Sequence, residues 1–209
     1  MSTDASAPVR ASPLLVGGLE PFTTIDFPGF LAAVVFLQGC PWRCPYCHNA
    51  HLRPFRCEKP LPWLDVMDFL TSRQGFLEGV VFSGGEPTAQ AGLSRAMRDV
   101  RALGYRVGLH TAGIYPHRLA RVLGLVDWVG LDVKAPLDDR CDLISGIRGS
   151  AARVSRSLDL VLASGVPLQI RTTVDPALLS KTDISDLAED LRWRGAPPTI
   201  LQKKISISG

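Results

Sequence analysis

Gly39-Cys40-Pro41-Trp42-Arg43-Cys44-Pro45-Tyr46-Cys47-His48-Asn49 places three cysteines in a C-x3-C-x2-C spacing. Pro41 and Pro45 argue against a helix through them. The segment therefore reads as a loop on which three thiolates can converge. Thiolates are the usual ligands of iron–sulfur clusters, four for a [4Fe–4S] cube. Three would leave one iron open to a ligand from outside the chain. Zinc is the competing ion, with His48 or His51 as a fourth ligand, although zinc ribbons pair two C-x2-C knuckles and only one stands here. Three inert buried cysteines are the remaining reading, and they would have to coincide in a loop rich in proline and aromatic residues.

The cysteines follow directly on an apolar, β-branched stretch, Ala32–Gln38. Similar strand-like stretches recur at Gly79–Ser83, Arg106–His110, Trp128–Val133, Leu168–Val174 and Thr199–Leu201. Helical patterns lie between them at Trp63–Arg73, Gln90–Leu103, Pro116–Leu123, Ala151–Ala163 and Lys181–Arg194. Ser180 and Asp183 have capping-box spacing, and Gly104, Gly165 and Gly195 stand where helices stop. Apolar strands alternating with helices predict an α/β fold with a parallel sheet covered by helices. Pattern alone leaves open whether the sheet is doubly wound or a curved, incomplete barrel. In both, chemistry collects at the strand carboxyl ends. The polar and glycine-rich groups fall there: the cysteines, Gly84-Gly85-Glu86-Pro87, His110-Thr111-Ala112-Gly113, Asp132-Val133-Lys134 and Arg171.

Composition narrows the classes. The chain has 209 residues, 46% hydrophobic and 21% charged, which suits one domain with a sizeable core. No apolar run approaches the roughly 20 residues that span a bilayer, and Met1–Arg10 does not read as a signal peptide. The expectation is a cytoplasmic protein with no membrane partner. Net charge is +3 with both signs interspersed, so no concentrated basic patch marks a nucleic-acid partner. Arg148–Arg156 is a short basic stretch, read as a solvated helix face. Five cysteines, three of them clustered, point to metal or redox chemistry rather than a disulfide framework. Cys57 and Cys141 read as ordinary spare cysteines.

The cysteine spacing, with an aromatic residue before the third cysteine, resembles the signature of the radical S-adenosylmethionine (SAM) superfamily. Gly84-Gly85-Glu86-Pro87 resembles its GGEP motif. Thr24-Ile25-Asp26-Phe27-Pro28-Gly29, Ala33–Cys40 and Cys44–Asn49 resemble the glycyl-radical-enzyme activases, above all the anaerobic ribonucleoside-triphosphate reductase activating proteins. So do Leu131–Pro136, Arg171-Thr172-Thr173-Val174 and Ile200-Leu201-Gln202. The resemblance runs from about residue 17 to 202. It implies a flexible segment at 1–16, a radical SAM core at 17–202 built as a partial (β/α)6 TIM-like barrel with outer helices, and a polar tail at 203–209.

The same resemblance implies the chemistry. Cys40, Cys44 and Cys47 would hold a [4Fe–4S] cluster whose open iron chelates SAM, and Gly84, Gly85 and Glu86 would hold the methionyl amino group. Asp132 and Lys134 would line the SAM pocket, and Arg171 would reach the SAM carboxylate or the partner. Relatives commonly carry Asp-Thr-Asn-Gly where this chain has His110-Thr111-Ala112-Gly113, so His110 either faces SAM or is hydrogen-bonded at its strand end. The implied partners are a glycyl-radical enzyme, first the anaerobic ribonucleoside-triphosphate reductase, and an electron donor such as flavodoxin or ferredoxin. A formate-lyase-type or dehydratase partner, a small-molecule substrate, and a non-catalytic zinc or iron–sulfur module are the alternatives.

Overall fold

A computed structural model describes residues 14–204. Most of the expected N-terminal segment and residues 205–209 of the tail lie outside it. Seven strands form one sheet: β1 (Val16–Thr23), β2 (Ala32–Leu37), β3 (Gly79–Gly84), β4 (Arg106–Thr111), β5 (Trp128–Asp132), β6 (Leu168–Val174) and β7 (Ile200–Lys203). They stand in sequence order, β2 to β7 all parallel and β1 antiparallel to β2. The six parallel strands are those expected. β1 is additional: two glycines and Pro21 disguise it, and such residues suit an irregular strand at a sheet edge. Val16 and Lys203, at the inner limits of the expected terminal segments, belong to β1 and β7.

The helices are α1 (Trp63–Ser72), α2 (Leu93–Ala102), α3 (Pro116–Ala120), α4 (Asp139–Ser145), α5 (Ser150–Ser164) and α6 (Lys181–Trp193). α6 has the expected capping box from Ser180 and Asp183, and α5 ends on Gly165 in the left-handed conformation that residues with a Cβ avoid. Two differences have local causes. α2 starts at Leu93 rather than Gln90, because Gln90 is extended and its amide donates to the Gln38 carbonyl (2.5 Å). α4 is additional to the expected helices; Asp138 caps it and Gly146 closes it.

Period-two alternation divides the strands between two environments. Ala33, Val35 and Leu37 of β2, with Val80, Phe82, Val107, Leu109, Val129, Leu131 and Ile170, form the large core with residues of the helices such as Leu70, Met97, Leu158 and Leu187. The opposite face holds a smaller core of Phe27, Ala32, Val34, Val81 and Trp128. Phe27 comes from the β1–β2 connection and is 1% exposed. Its ring lies 4.9 Å from Phe30 and 5.7 Å from Trp128. Glycines on β3 and β4 make the space: a Cβ on Gly79 would stand 2.8 Å from the Phe27 ring, and one on Gly108 3.4 Å. The Thr24–Gly29 stretch thus plugs the amino-terminal end of the inner face and leaves the carboxyl end for polar groups.

Truncating this plug is expected to destabilise the fold. Phe27→Ala should cost about 3–5 kcal/mol, as for other fully buried aromatics, measured by denaturant unfolding. A loss below about 1 kcal/mol would show that neighbours refill the space.

Candidate active site

The cysteine loop leaves β2 and is pinned at its neck. Gly39 N–H donates to Leu52 O (2.7 Å) and Cys40 N–H to Arg53 O (2.9 Å). The Gln38 side chain donates to His51 O (3.1 Å) and Pro54 O (2.8 Å). Across the molecule, Arg43 N–H reaches Ser145 O at the end of α4 (2.8 Å). Cys40, Cys44 and Cys47 are all free thiols and all line one cavity of about 310 Å³. Burial, then Glu86, pushes the Cys40 thiol up to about 12; burial likewise raises Cys44 against the pull of Lys134. A metal arriving here would displace protons from these thiols. Among the described residues no three His, Cys, Asp or Glu side chains are gathered around a single ion. Cys57 is partly exposed, and Cys141 is packed in the core, where Ser150 Oγ donates to it (3.4 Å).

The Gly-Gly-Glu corner at the end of β3 is built against the same neck. Gly84 has φ +114°, and a Cβ there would stand 2.3 Å from Leu37 N; one on Gly85 would stand 2.5 Å from Gly39 O. The corner's amides continue the β2–β3 pairing, Gly85 N–H to Leu37 O and Glu86 N–H to Gly39 O, both 2.8 Å. The two glycines let this corner and the base of the cysteine loop touch, and both line the cavity.

Glu86 is not among the residues that line the cavity. Its side chain is fully buried, and its carboxylate accepts from Thr88 N (3.0 Å), Thr88 Oγ1 (2.5 Å), Thr111 Oγ1 (2.7 Å) and Ala112 N (2.8 Å). Burial pushes its carboxyl upward against those four donors. These bonds tie the end of β3 to the end of β4, three of them on Oε1 and one on Oε2.

Asp132, Lys134, Arg171 and His110 also line the cavity. Adjacent strands bring them together, since Asp132 pairs with Arg171 in the β5–β6 register. Arg171 Nε and Nη2 both reach Asp132 Oδ1 at 3.0 Å, and Lys134 Nζ reaches Asp132 Oδ2 at 3.0 Å. Burial alone would raise the Asp132 carboxyl, but the Lys134 and Arg171 charges outweigh it and hold it well below the usual range. Lys134 is correspondingly held above its usual value by Asp132 despite burial. His110 is buried, and burial with the Arg171 charge lowers it to about 4, so the imidazole is neutral at pH 7.

This arrangement can hold an iron–sulfur cluster and a zwitterionic ligand side by side. Three thiols line the cavity, while Lys134 and Arg171 keep N–H donors beyond those that Asp132 occupies. Trp42 Nε1 and Tyr46 Oη, on the cysteine loop, are buried without a hydrogen-bond partner among the described residues. The sequence comparison points the same way. The Radical SAM superfamily profile matches residues 34–193. The chain belongs to the radical SAM superfamily. As a radical SAM enzyme it uses a [4Fe–4S] cluster and S-adenosylmethionine. It is 31% identical over 189 residues to a Methanocaldococcus jannaschii protein named as a glycyl-radical enzyme activating enzyme, covering 85% of this chain and 75% of that one. It is also 31% identical over 185 residues to the pyruvate formate-lyase-activating enzyme of Clostridium pasteurianum, covering 85% and 76%. Among solved structures, Streptococcus suis SuiB bound to S-adenosylmethionine matches with a TM-score of 0.67 at 15% identity. That match spans 82% of this chain and 40% of SuiB, and shows the shared radical SAM barrel fold.

Of the residues singled out from sequence, all but Glu86 line the cavity. The structure adds Asp26, Phe36, Ser83, Thr173 and Gln202 to its wall. Ser83 and Thr173 had a readable signal, since Ser83 precedes Gly84 and Thr173 shares a strand face with Arg171, whereas Gln202 reaches the site by pairing with Thr173. Asp26 lies in the Thr24–Gly29 stretch of the resemblance, but its place beside His110 had no signal, because only folding brings the β1–β2 connection there.

Removing the Glu86 carboxylate should be costly. Glu86→Ala leaves four buried or half-buried donors unpaired, each worth about 1–3 kcal/mol, so an unfolding free-energy loss of about 3 kcal/mol or more is expected from chemical denaturation. Glu86→Gln, which keeps one acceptor oxygen, should lose less. Equal and small losses for both would show that the four hydrogen bonds do not brace the corner.

Proposed function

We propose that this chain activates a glycyl-radical enzyme, with Cys40, Cys44 and Cys47 holding the cluster. The supporting observation is that these three thiols share one cavity with Gly84, Gly85 and the Asp132–Lys134–Arg171 group. When bound, the cluster and SAM supply a 5′-deoxyadenosyl radical by one-electron cleavage of the sulfonium. The protein's part is binding, orientation and shielding. The glycine pair keeps side-chain bulk away from the methionyl end, Lys134 and Arg171 present cations to its carboxylate, and Asp132 holds both cations in place. The first bond cleavage requires no general acid or base from the chain.

The substrate in this reading is a backbone glycine of a larger enzyme, from which a hydrogen atom is removed to leave a stored radical. Among the described residues β1 pairs only with β2 and β7 only with β6, and the sheet is open between β1 and β7. The open side, where Thr173 and Gln202 line the cavity, offers a way in for a protein loop. The motif resemblance favours anaerobic ribonucleoside-triphosphate reductase as partner. A formate-lyase-type enzyme is the second reading, favoured by the Clostridium pasteurianum relative. A low-potential carrier such as flavodoxin or ferredoxin would deliver the electron.

Anaerobically reconstituted, reduced protein should be mixed with SAM and, in separate samples, with each of the two enzymes. A glycine-centred doublet in electron paramagnetic resonance, accompanied by 5′-deoxyadenosine, is expected with one of them. 5′-Deoxyadenosine without a doublet in either sample would exclude both partners. Cys40→Ala, Cys44→Ala and Cys47→Ala should each abolish SAM cleavage, whereas Cys57→Ala and Cys141→Ala should retain it. Full turnover by Cys44→Ala would overturn the ligand assignment.

A further inference from the structure

Helix α5 carries basic side chains on the face that the core leaves out. Val154, Leu158 and Val161 are buried, while Arg153 and Arg156, three residues apart and so neighbours on a helix, are exposed. α3 is built alike, with His117, Arg118 and Arg121 exposed around the buried Leu119. Folding sets the two helices side by side, and His117, Arg118, Arg153 and Arg156 line one cavity of about 530 Å³. Ile114, Tyr115 and Pro116 supply its apolar part. Arg121, one helical turn beyond Arg118, lines an adjoining hollow with it. No acidic residue lines either space, and among the described residues none of these arginines has a carboxylate partner. The basic stretch read as a solvated helix face is thus half of a cationic surface whose other half comes from α3.

This surface is fastened to the catalytic edge. Thr111 and Ala112, at the end of β4, line the cysteine cavity, and Ile114 and Tyr115 line the basic one. Between them Gly113, at φ +71°, brings the chain against α5: its carbonyl accepts from Ser157 Oγ at 2.6 Å, and a Cβ there would stand 2.9 Å from the Ser157 Cβ. Arg118 donates to Ala89 O (2.5 Å), in the turn that follows Glu86, and lies over the Tyr115 ring at 4.9 Å. Burial raises the Tyr115 phenol, and the charges acting on it come from both sides, Arg118 and Arg153 from the surface and Glu86 and Cys40 from the site.

Arginines without acidic partners around apolar and aromatic groups have the composition of a protein-docking patch, and their charge selects an acidic partner. Reductive cleavage of SAM needs one electron from outside the chain. The patch follows β4, the central strand, three strands from each edge, so along the sheet it is as far as it can be from the opening between β1 and β7. We propose that the α3–α5 face is the docking surface for the acidic protein carrier that supplies this electron. One electron passes from the reduced carrier, which is oxidised, to the [4Fe–4S]2+ cluster, which becomes [4Fe–4S]+; no bond or proton is exchanged. The glycine-bearing partner approaches by the open side, and this separation of the two partners rests on the functional reading above.

The test compares cluster-loaded wild type with Arg153→Glu/Arg156→Glu, which reverses two exposed charges, and Arg153→Lys/Arg156→Lys, which keeps them. Reduction of the cluster is followed anaerobically by stopped-flow absorbance, without SAM, using reduced flavodoxin, reduced ferredoxin or dithionite in separate runs. Charge reversal should slow reduction by a protein carrier about tenfold or more at low salt, and the wild-type rate should fall as salt screens the attraction. The lysine variant should follow wild type. Dithionite should reduce all three proteins at similar rates, because a small reductant needs no docking surface. A carrier rate unchanged by charge reversal, equal slowing with dithionite, or a wild type that dithionite reduces and neither carrier does would each overturn the inference. Should the reversed protein not take up its cluster, Arg121→Glu reads the same surface, and wild-type carrier rates there would overturn it. The dithionite-reduced, charge-reversed protein is also mixed with SAM and each glycyl-radical enzyme. It should give the same glycine-centred doublet as wild type, and selective loss of the doublet would assign the patch to that enzyme and overturn the inference. No doublet even in wild type would overturn the functional reading alone, while the carrier rates still decide this inference.

Discussion

Parallel pairing in unbroken sequence order is the constraint on which the site depends. Because β2 to β7 all point the same way and each neighbours the next, their last residues fall along one edge of the sheet. Cys40, Gly84, Thr111, Asp132 and Thr173 reach a common cavity only through that arrangement. The side-chain period of two then selects which residues at the edge face inward, so that a one-residue slip in β5 or β6 would separate Asp132 from Arg171. The charged wall is therefore a consequence of register as much as of residue type.

Two buried carboxylates illustrate how position separates roles that residue type does not. Glu86 and Asp132 both stand at strand ends within a short distance of the cysteines. Glu86 meets two backbone amides and two hydroxyls, neutral donors that fasten two strand ends together. Asp132 meets Lys134 and Arg171, cations with further donors to offer a ligand. The first carboxylate stiffens the frame; the second organises charge at the surface of the cavity.

The inner face also shows a gradient along the strands. At the amino-terminal end glycines on β3 and β4 accommodate Phe27, so that part is filled with side chains. At the carboxyl end the same face carries Ser83, His110, Asp132, Arg171 and Thr173 around open space. Phe27 and Asp26, neighbours in the chain, serve these two halves in turn: one ring closes the floor, and one carbonyl orients His110.

The amino-acid sequence alone determined the six parallel strands, the loop nature of the cysteine segment, and the family, because apolar runs, prolines and motif spacing are local properties legible one residue after another. It also marked Cys40, Cys44, Cys47, Gly84, Gly85, Asp132, Lys134, Arg171 and His110 as strand-end groups. β1 and α4 were not legible, the one interrupted by glycine and proline and the other dense in aspartate, because pairing to a neighbour and caps at both ends overrode their weak local preferences. Tertiary structure decided which way each side chain faces and what it touches: Glu86 inward to Thr111 and Ala112, Asp26 to His110, and Gly130 beneath two side chains from other strands. The first two depend on residues 25 to 84 positions apart in the chain being brought within hydrogen-bonding distance, the third on close packing between strands, and no local pattern records such meetings.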